Sequence, residues 1–169
     1  DVLGTHILLE AARKYDIPKF IQISTDEVYG SIEKGSFKET DRLNPASPYS
    51  ASKASADMIC NSYFVTYNIP VIIVRSTNNY GSYQNPEKFL PKMITNAILD
   101  KPMPVYGDGL NVRDWLYVID NYIAIGIAMN KGKFGEIYNV SSGVEMTNIE
   151  VAKLILKNLN KPESLIKFV

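Results

Sequence analysis

Two short apolar runs constrain this chain more than any other feature. Phe20-Ile21-Gln22-Ile23 and Val71-Ile72-Ile73-Val74-Arg75 read as strands, and residues 49–67 between them read as a long helix. The second run is apolar without alternation, as in strands covered on both faces of a parallel sheet. Two such strands joined by a helical crossover predict a right-handed βαβ unit. In an open parallel sheet, ligands sit beyond the carboxyl ends of the strands, so the segments leaving residues 23 and 75 are the first places to look for chemistry.

The rest of the pattern extends this frame. Residues 2–15 carry helical spacing at Leu3, Ile7, Leu8 and Ala11 and stop before Ile17-Pro18. A polar loop from Ser24 to Pro48 holds Gly30, Gly35, Pro45 and Pro48. Further helices are expected after Pro86, from about Asp120 to Met129, and from Thr147 to Leu159. Strands are expected around 103–106, 112–118 and 137–140. Thr147-Asn148-Ile149-Glu150 has the form of a capping box. The expectation is an α/β sheet half followed by a smaller mixed α/β region, with the division near residue 80 and some interleaving.

Composition narrows the partners. Lys plus Arg equals 18 and Asp plus Glu equals 18, so no net charge favours nucleic acid or an anionic membrane. No apolar run approaches the roughly 20 residues of a membrane helix. The single cysteine, Cys60, excludes an internal disulfide or a Cys-rich metal site and reads as a small core residue. The lone His6 has no partners for a metal site, so no metal is expected. Opening on Asp1-Val2-Leu3-Gly4 at the start of a helical pattern, the sequence reads as part of a longer protein.

Two constellations stand out. Ser24-Thr25-Asp26-Glu27-Val28-Tyr29-Gly30 puts a hydroxyl and adjacent carboxylates at a strand end. Taken alone it is a solvated acidic turn; read for chemistry it is a general acid beside a general base. Pro48-Tyr49-Ser50-Ala51-Ser52-Lys53 opens the long helix, with Tyr49 and Lys53 one turn apart on one face. An ammonium beside a phenol favours the phenolate, a usable base. The spacing alone is weak, since Tyr15 and Lys19 match it too, but that pair straddles Pro18 and cannot share a helical face.

These residues resemble the extended short-chain dehydrogenase/reductase family, and Thr25-Asp26-Glu27 narrows the resemblance to its dTDP-glucose 4,6-dehydratases. Asn78-Asn79-Tyr80-Gly81, Pro86-Glu87-Lys88, Pro104-Val105-Tyr106-Gly107-Asp108-Gly109 and Arg113-Asp114-Trp115 agree. Asp1, Ser82 and Asn121 depart from the family's usual Asn, Pro and His. The resemblance implies a partial Rossmann-like parallel sheet in residues 1–80 with a smaller substrate-binding region in 81–169. It implies NAD as cofactor, dTDP-glucose as substrate, a cytoplasmic location and a homodimer. Thr25, Asp26, Glu27, Tyr49 and Lys53 are then the catalytic residues. Ser24, Tyr49, Lys53 and Asn79 would contact NAD. Thr25, Asn78, Lys88, Phe89, Pro104, Val105, Tyr106, Arg113 and Asn148 would contact substrate. No glycine-rich phosphate loop follows a strand, and Gly107-Asp108-Gly109 reads as a tight turn. The resemblance puts that loop upstream of Asp1 and an arginine-bearing segment beyond Val169. These residues alone are therefore expected to bind NAD poorly and to be inactive. The alternatives are another enzyme of the scaffold, such as a UDP-sugar 4,6-dehydratase, 4-epimerase or decarboxylase, or a non-catalytic nucleotide-sugar-binding module.

Overall fold

A computed structural model describes all 169 residues. In chain order the elements are α1 (Val2–Lys14), β1 (Phe20–Thr25), a 3-10 turn (Asp26–Tyr29), α2 (Pro48–Tyr67), β2 (Val71–Ser76), β3 (Asn78–Tyr80) and α3 (Phe89–Ile98). There follow β4 (Met103–Val105), β5 (Val112–Tyr117), α4 (Val118–Lys131), β6 (Ile137–Val140), β7 (Glu145–Thr147), α5 (Asn148–Leu159), a second 3-10 turn (Glu163–Leu165) and β8 (Ile166–Phe168). The chain divides into two compact units. Residues 1–77 with 119–141 form the first, and 78–118 with 142–169 form the second.

The first unit is a three-stranded parallel sheet in the order β1-β2-β6. Every residue of the central strand β2 is buried, which explains its unbroken apolar run. Side chains alternate across a strand, so its two halves meet different helices. Val71 and Ile73 pack with Leu9 of α1 and with Cys60 and Tyr63 of α2. Ile72 and Val74 pack with Ala128 of α4, supported by Ile125, Tyr138 and Val140. Residues 119–141 thus return to this sheet after the chain has passed through the second unit.

Local chemistry sets the helix ends. Ser47 caps α2 by accepting from Ser50 N, Ser50 reciprocates, and Pro48 takes the first turn, where its missing N–H costs nothing. Asn68 ends α2 in the left-handed conformation. The capping box expected at α5 is present: Thr147 Oγ1 accepts from Glu150 N and the Glu150 carboxylate accepts from Thr147 N.

The second unit is built from smaller pieces. β3 pairs parallel with β5, β7 pairs antiparallel with β5, and β4 pairs parallel with β8. Its core joins Met93 and Ala97 of α3, Met103 and Val105 of β4, and Val151, Ala152, Ile155 and Leu156 of α5. Gly107 and Gly109 adopt positive φ in the tight turn after β4, where Asp108 Oδ1 accepts from Leu110 N. No helix is long and apolar enough to cross a membrane.

Candidate active site

In the first unit the acidic segment leaves the carboxyl end of β1. The chain turns there because Thr25 caps the 3-10 turn, its Oγ1 accepting from Glu27 N at 3.2 Å and donating to Asp26 Oδ1 at 3.3 Å. Val28 and Tyr29 are buried against Ala54 of α2, so the turn is anchored from beneath. Asp26 is left half-buried and Glu27 exposed. Gly30 closes the turn at φ +88°, where a Cβ would collide with the Asn44 carbonyl.

Tyr49 and Lys53 rise from the first turns of α2. Tyr49 is 53% exposed, which leaves the phenol open to a ligand. Lys53 is half-buried and its Nζ donates to the Ile23 carbonyl at 2.5 Å, so its ammonium lies against the last residues of β1. The expected depression of the Tyr49 pKa by Lys53 is not what this arrangement gives. Burial pushes the Tyr49 phenol up, and the Glu27 and Asp26 carboxylates push it further. The reason is local: the ammonium is engaged by a backbone carbonyl while both carboxylates act on the phenol. Ser24 is turned inward, buried, and donates its hydroxyl to Asp57 Oδ2 at 2.9 Å.

Reading the sequence missed what lies behind this edge. Asp57 and Arg75 form a buried ion pair at 2.9 Å, and Arg75 also donates to the Tyr29 hydroxyl at 2.7 Å. Tyr29 in turn donates to Asn139 Oδ1 at 2.8 Å. A signal was available: Arg75 is the one charge in β2 and Asp57 the one acid in α2. A charge in a strand buried on both faces has to find a partner.

The remaining candidates belong to the second unit. Asn78 pairs in register with Trp115, so Asn78, Trp115 and Arg113 share one face of the β3–β5 ladder. Trp115 packs with its ring 5.9 Å from that of Phe89, and its Nε1 is buried and without a partner. Lys88 is exposed at the N-cap of α3, immediately before Phe89. Arg113 is exposed with a guanidinium nitrogen donating to Val112 O at 2.9 Å. Asp114 is engaged by Ser142 N, Ser142 Oγ and Gly143 N. Asn148 opens α5, its N–H donating to Asn111 O. Asn79 lies on β3, where its carbonyl accepts from the Gln84 amide. Val105 is fully buried and its carbonyl accepts from Val169 N, whereas Pro104 is half-buried and Tyr106 exposed. Val105 can therefore serve a ligand only by fixing its two neighbours.

The parallel sheet and its crossover helix resemble those of solved dehydratases and an epimerase in complex with NAD. A model of the GDP-mannose 4,6-dehydratase family matches residues 1–167, and the chain belongs to that family. It is 49% identical to the low-salt glycan biosynthesis protein Agl12 of Haloferax volcanii, over all of this chain and 54% of that protein. It superimposes with a TM-score of 0.96 on dTDP-glucose 4,6-dehydratase of Bacillus anthracis in complex with NAD, at 53% identity, covering 99% of this chain and 54% of the other. The dTDP-glucose 4,6-dehydratase of Streptomyces venezuelae with NAD and TYD bound gives 0.98 at 42% identity, with 99% and 52% covered. The chain spans about half the length of these relatives.

Proposed function

We propose that this chain carries the reaction centre and much of the sugar-nucleotide site of an NAD-dependent dTDP-glucose 4,6-dehydratase, converting dTDP-glucose to its 4-keto-6-deoxy product. The observation that carries the reading is the placement at the carboxyl end of β1, where the Thr25-capped acidic turn leaves the strand and Lys53 of α2 bonds to the Ile23 carbonyl. There a phenol, an ammonium, a hydroxyl and two carboxylates come from one turn and one helix face. A sugar epimerase has no use for the carboxylate pair, because it eliminates nothing.

Each residue has a separate task. Tyr49 takes the C4 hydroxyl proton, with Lys53 and the Thr25 hydroxyl orienting that oxygen. Tyr49 and Lys53 would hold NAD, which when bound would supply the hydride acceptor for oxidation at C4 and the hydride donor for reduction at C6. A ketone at C4 makes the C5 proton acidic, and Glu27, exposed at the turn, removes it as general base and gives a proton back to C5 when C6 is reduced. Asp26, protonated at this step, gives its proton to the departing C6 hydroxyl, which leaves as water, while Glu27 holds the C5 proton, so the summed charge of the two carboxyl groups does not change. The donor set suits the cofactor: the hydroxyl of Tyr49 and the ammonium of Lys53 match a ribose and a nicotinamide carboxamide better than they match a metal. Ser24 contributes through the backbone and through its bond to Asp57.

The second unit is assigned to the nucleotide. Arg113 offers a charged fork for the diphosphate. Lys88, Asn78 and Asn148 supply further donors, Phe89 backs the Trp115 face, and Pro104, Val105 and Tyr106 form the stretch for the nucleoside. By the same family reading the protein is a homodimer paired through α1 and α2. Those helices expose Leu3, Ile7, Leu8, Met58 and Val65.

The test is product formation by the protein that carries this chain, given NAD and either dTDP-glucose or UDP-glucose. The proposal expects 4-keto-6-deoxy product from dTDP-glucose and little from UDP-glucose. A C4 epimer as the product would overturn it.

A further inference from the structure

We propose that the buried Asp57–Arg75 pair is a positioning device that fixes the Thr25-Asp26-Glu27 turn against the Tyr49/Lys53 helix; this rests on the catalytic reading above. The two side chains are 2% and 3% exposed, and they are the buried charges of the chain. Asp57 Oδ2 accepts from Ser24 Oγ and from Arg75 Nε, each at 2.9 Å. Ser24 is the residue immediately before Thr25. On the other side, the Arg75 guanidinium donates to the Tyr29 hydroxyl and lies 4.8 Å from the centre of that ring. Tyr29 is the last residue of the 3-10 turn. One ion pair therefore grips both ends of the acidic turn.

The pair also joins that turn to the other half of the machinery. Asp57 sits one helical turn beyond Lys53 and two beyond Tyr49 on α2. Arg75 belongs to β2, the central strand of the sheet. Helix, turn and sheet are thus referenced to each other through one carboxylate and one guanidinium. The planar guanidinium gives this reference fixed directions that an ammonium cannot supply. Beyond Tyr29 the chain of contacts continues to Asn139 of β6, whose amide donates to Phe37 O and whose N–H donates to the Glu39 carboxylate. The ring of Phe37 stacks on Tyr29 at 4.9 Å. The loop that follows the turn is held by the same network.

Stability is a poor account of this pair. Removing two charges from water costs about as much as their attraction returns, and apolar replacements of similar volume are often neutral. Here the balance is worse than usual, because Asp57 Oδ1 has no hydrogen-bond partner. Burial pushes the Asp57 carboxyl pKa up despite the bonds from Arg75 and Ser24. What the pair supplies is geometry, and misplacing a reacting group by about 1 Å can cost about 100-fold in rate.

The experiment compares the native protein with the double variant Asp57→Leu/Arg75→Met and with Arg75→Lys, all in the full polypeptide. Thermal melting, kcat, KM for dTDP-glucose and amide hydrogen exchange of residues 24–30 are measured. The proposal expects the double variant to melt within a few degrees of native, with kcat lowered about 10- to 100-fold and KM nearly unchanged. Amides 24–30 should exchange about tenfold faster or more, following the same loss of order. Arg75→Lys, which keeps the charge and loses the fork, should show a smaller loss of kcat without loss of stability. A double variant with native kcat and native exchange at 24–30 overturns the proposal. If the double variant does not fold, Arg75→Lys decides, and native kcat in it overturns the proposal. If the native protein makes no product from dTDP-glucose, the catalytic reading fails by itself. Exchange at 24–30 then still decides whether the pair holds the turn.

Discussion

The two units support their candidate residues in opposite ways. In the first, Thr25, Asp26, Glu27, Tyr49 and Lys53 stand on a parallel sheet edge and a long helix, backed by buried Asp57, Arg75 and Tyr29. In the second, Arg113, Lys88 and Tyr106 project into solvent from the ends of short elements. On the proposed function, the difference fits what each group would be asked to do. A proton transfer needs donor and acceptor within hydrogen-bond reach in one geometry. A diphosphate can be met by long cationic side chains that adjust on binding. Rigid support is therefore needed only where bonds change.

The comparison breaks most readily at the first unit. Tyr49→Phe should lower product formation about 10²- to 10⁴-fold, the usual cost of losing a positioned base, with little change in melting temperature. Stopped-flow absorbance of enzyme-bound NADH on mixing with dTDP-glucose would show the loss at the oxidation step. Normal dehydration by this variant would remove the phenol from the mechanism.

Next in size are the cores, which should be equally firm in both units. Ile72 of β2 and Leu156 of α5 are buried at 0% and 1% exposure. Ile72→Ala and Leu156→Ala should each cost about 2–5 kcal/mol, measured by urea unfolding. A marked asymmetry would mean that one unit is soft throughout, and the contrast would no longer concern the site.

Arg113→Ala should raise KM for dTDP-glucose about 10- to 100-fold, the worth of a charge-assisted contact of about 1.5–3 kcal/mol, and leave kcat within a few-fold. Arg113→Lys should recover much of that loss, unlike Arg75→Lys in the buried network. A kcat effect at Arg113 larger than its KM effect would place it in the chemistry and blur the division.

Thr147→Ala, at the cap of α5, should cost about 1 kcal/mol. Hydrogen bonds from the Thr147 side chain and backbone hold the Glu150 carboxyl below its ordinary 4.5. A depressed carboxylate contributes stability above its unfolded pKa and loses it as pH falls through the folded one. The difference between native and Thr147→Ala proteins should therefore shrink on acidification below the usual carboxylate range without vanishing, because Thr147 Oγ1 still accepts from Glu150 N. A difference unchanged by acidification would show that the Glu150 carboxylate adds nothing to the cap.

Much of this architecture is legible in the residues because the strong signals are physical ones. The unbroken apolar run at 71–74 can be satisfied only by a strand covered on both faces, and β2 is that strand. Thr147 and Glu150 carry both halves of a capping box. The three-residue strands β3, β7 and β8 are not among those expected from the sequence, and their pairing is set by tertiary contacts. The cap at Ser47 escaped because Ser50 takes the place of the usual Glu or Gln. The return of residues 119–141 to the first sheet is a matter of topology that no local pattern encodes. At the site, residue types drew attention to the turn and the helix face, yet the direction of the Tyr49 shift depends on where Lys53 points. Its bond to the Ile23 carbonyl could not be read from spacing.

The division of labour between Tyr49 and Glu27 is the centre of this account, and Glu27→Gln tests it most directly. The full-length variant is mixed with dTDP-glucose in deuterated water, and bound NADH, deuterium uptake at C5 and 4-keto-6-deoxy product are followed together. The account predicts that NADH still forms while C5 exchange and product fall together by about 10²- to 10⁴-fold. Product formation near the native rate would contradict it.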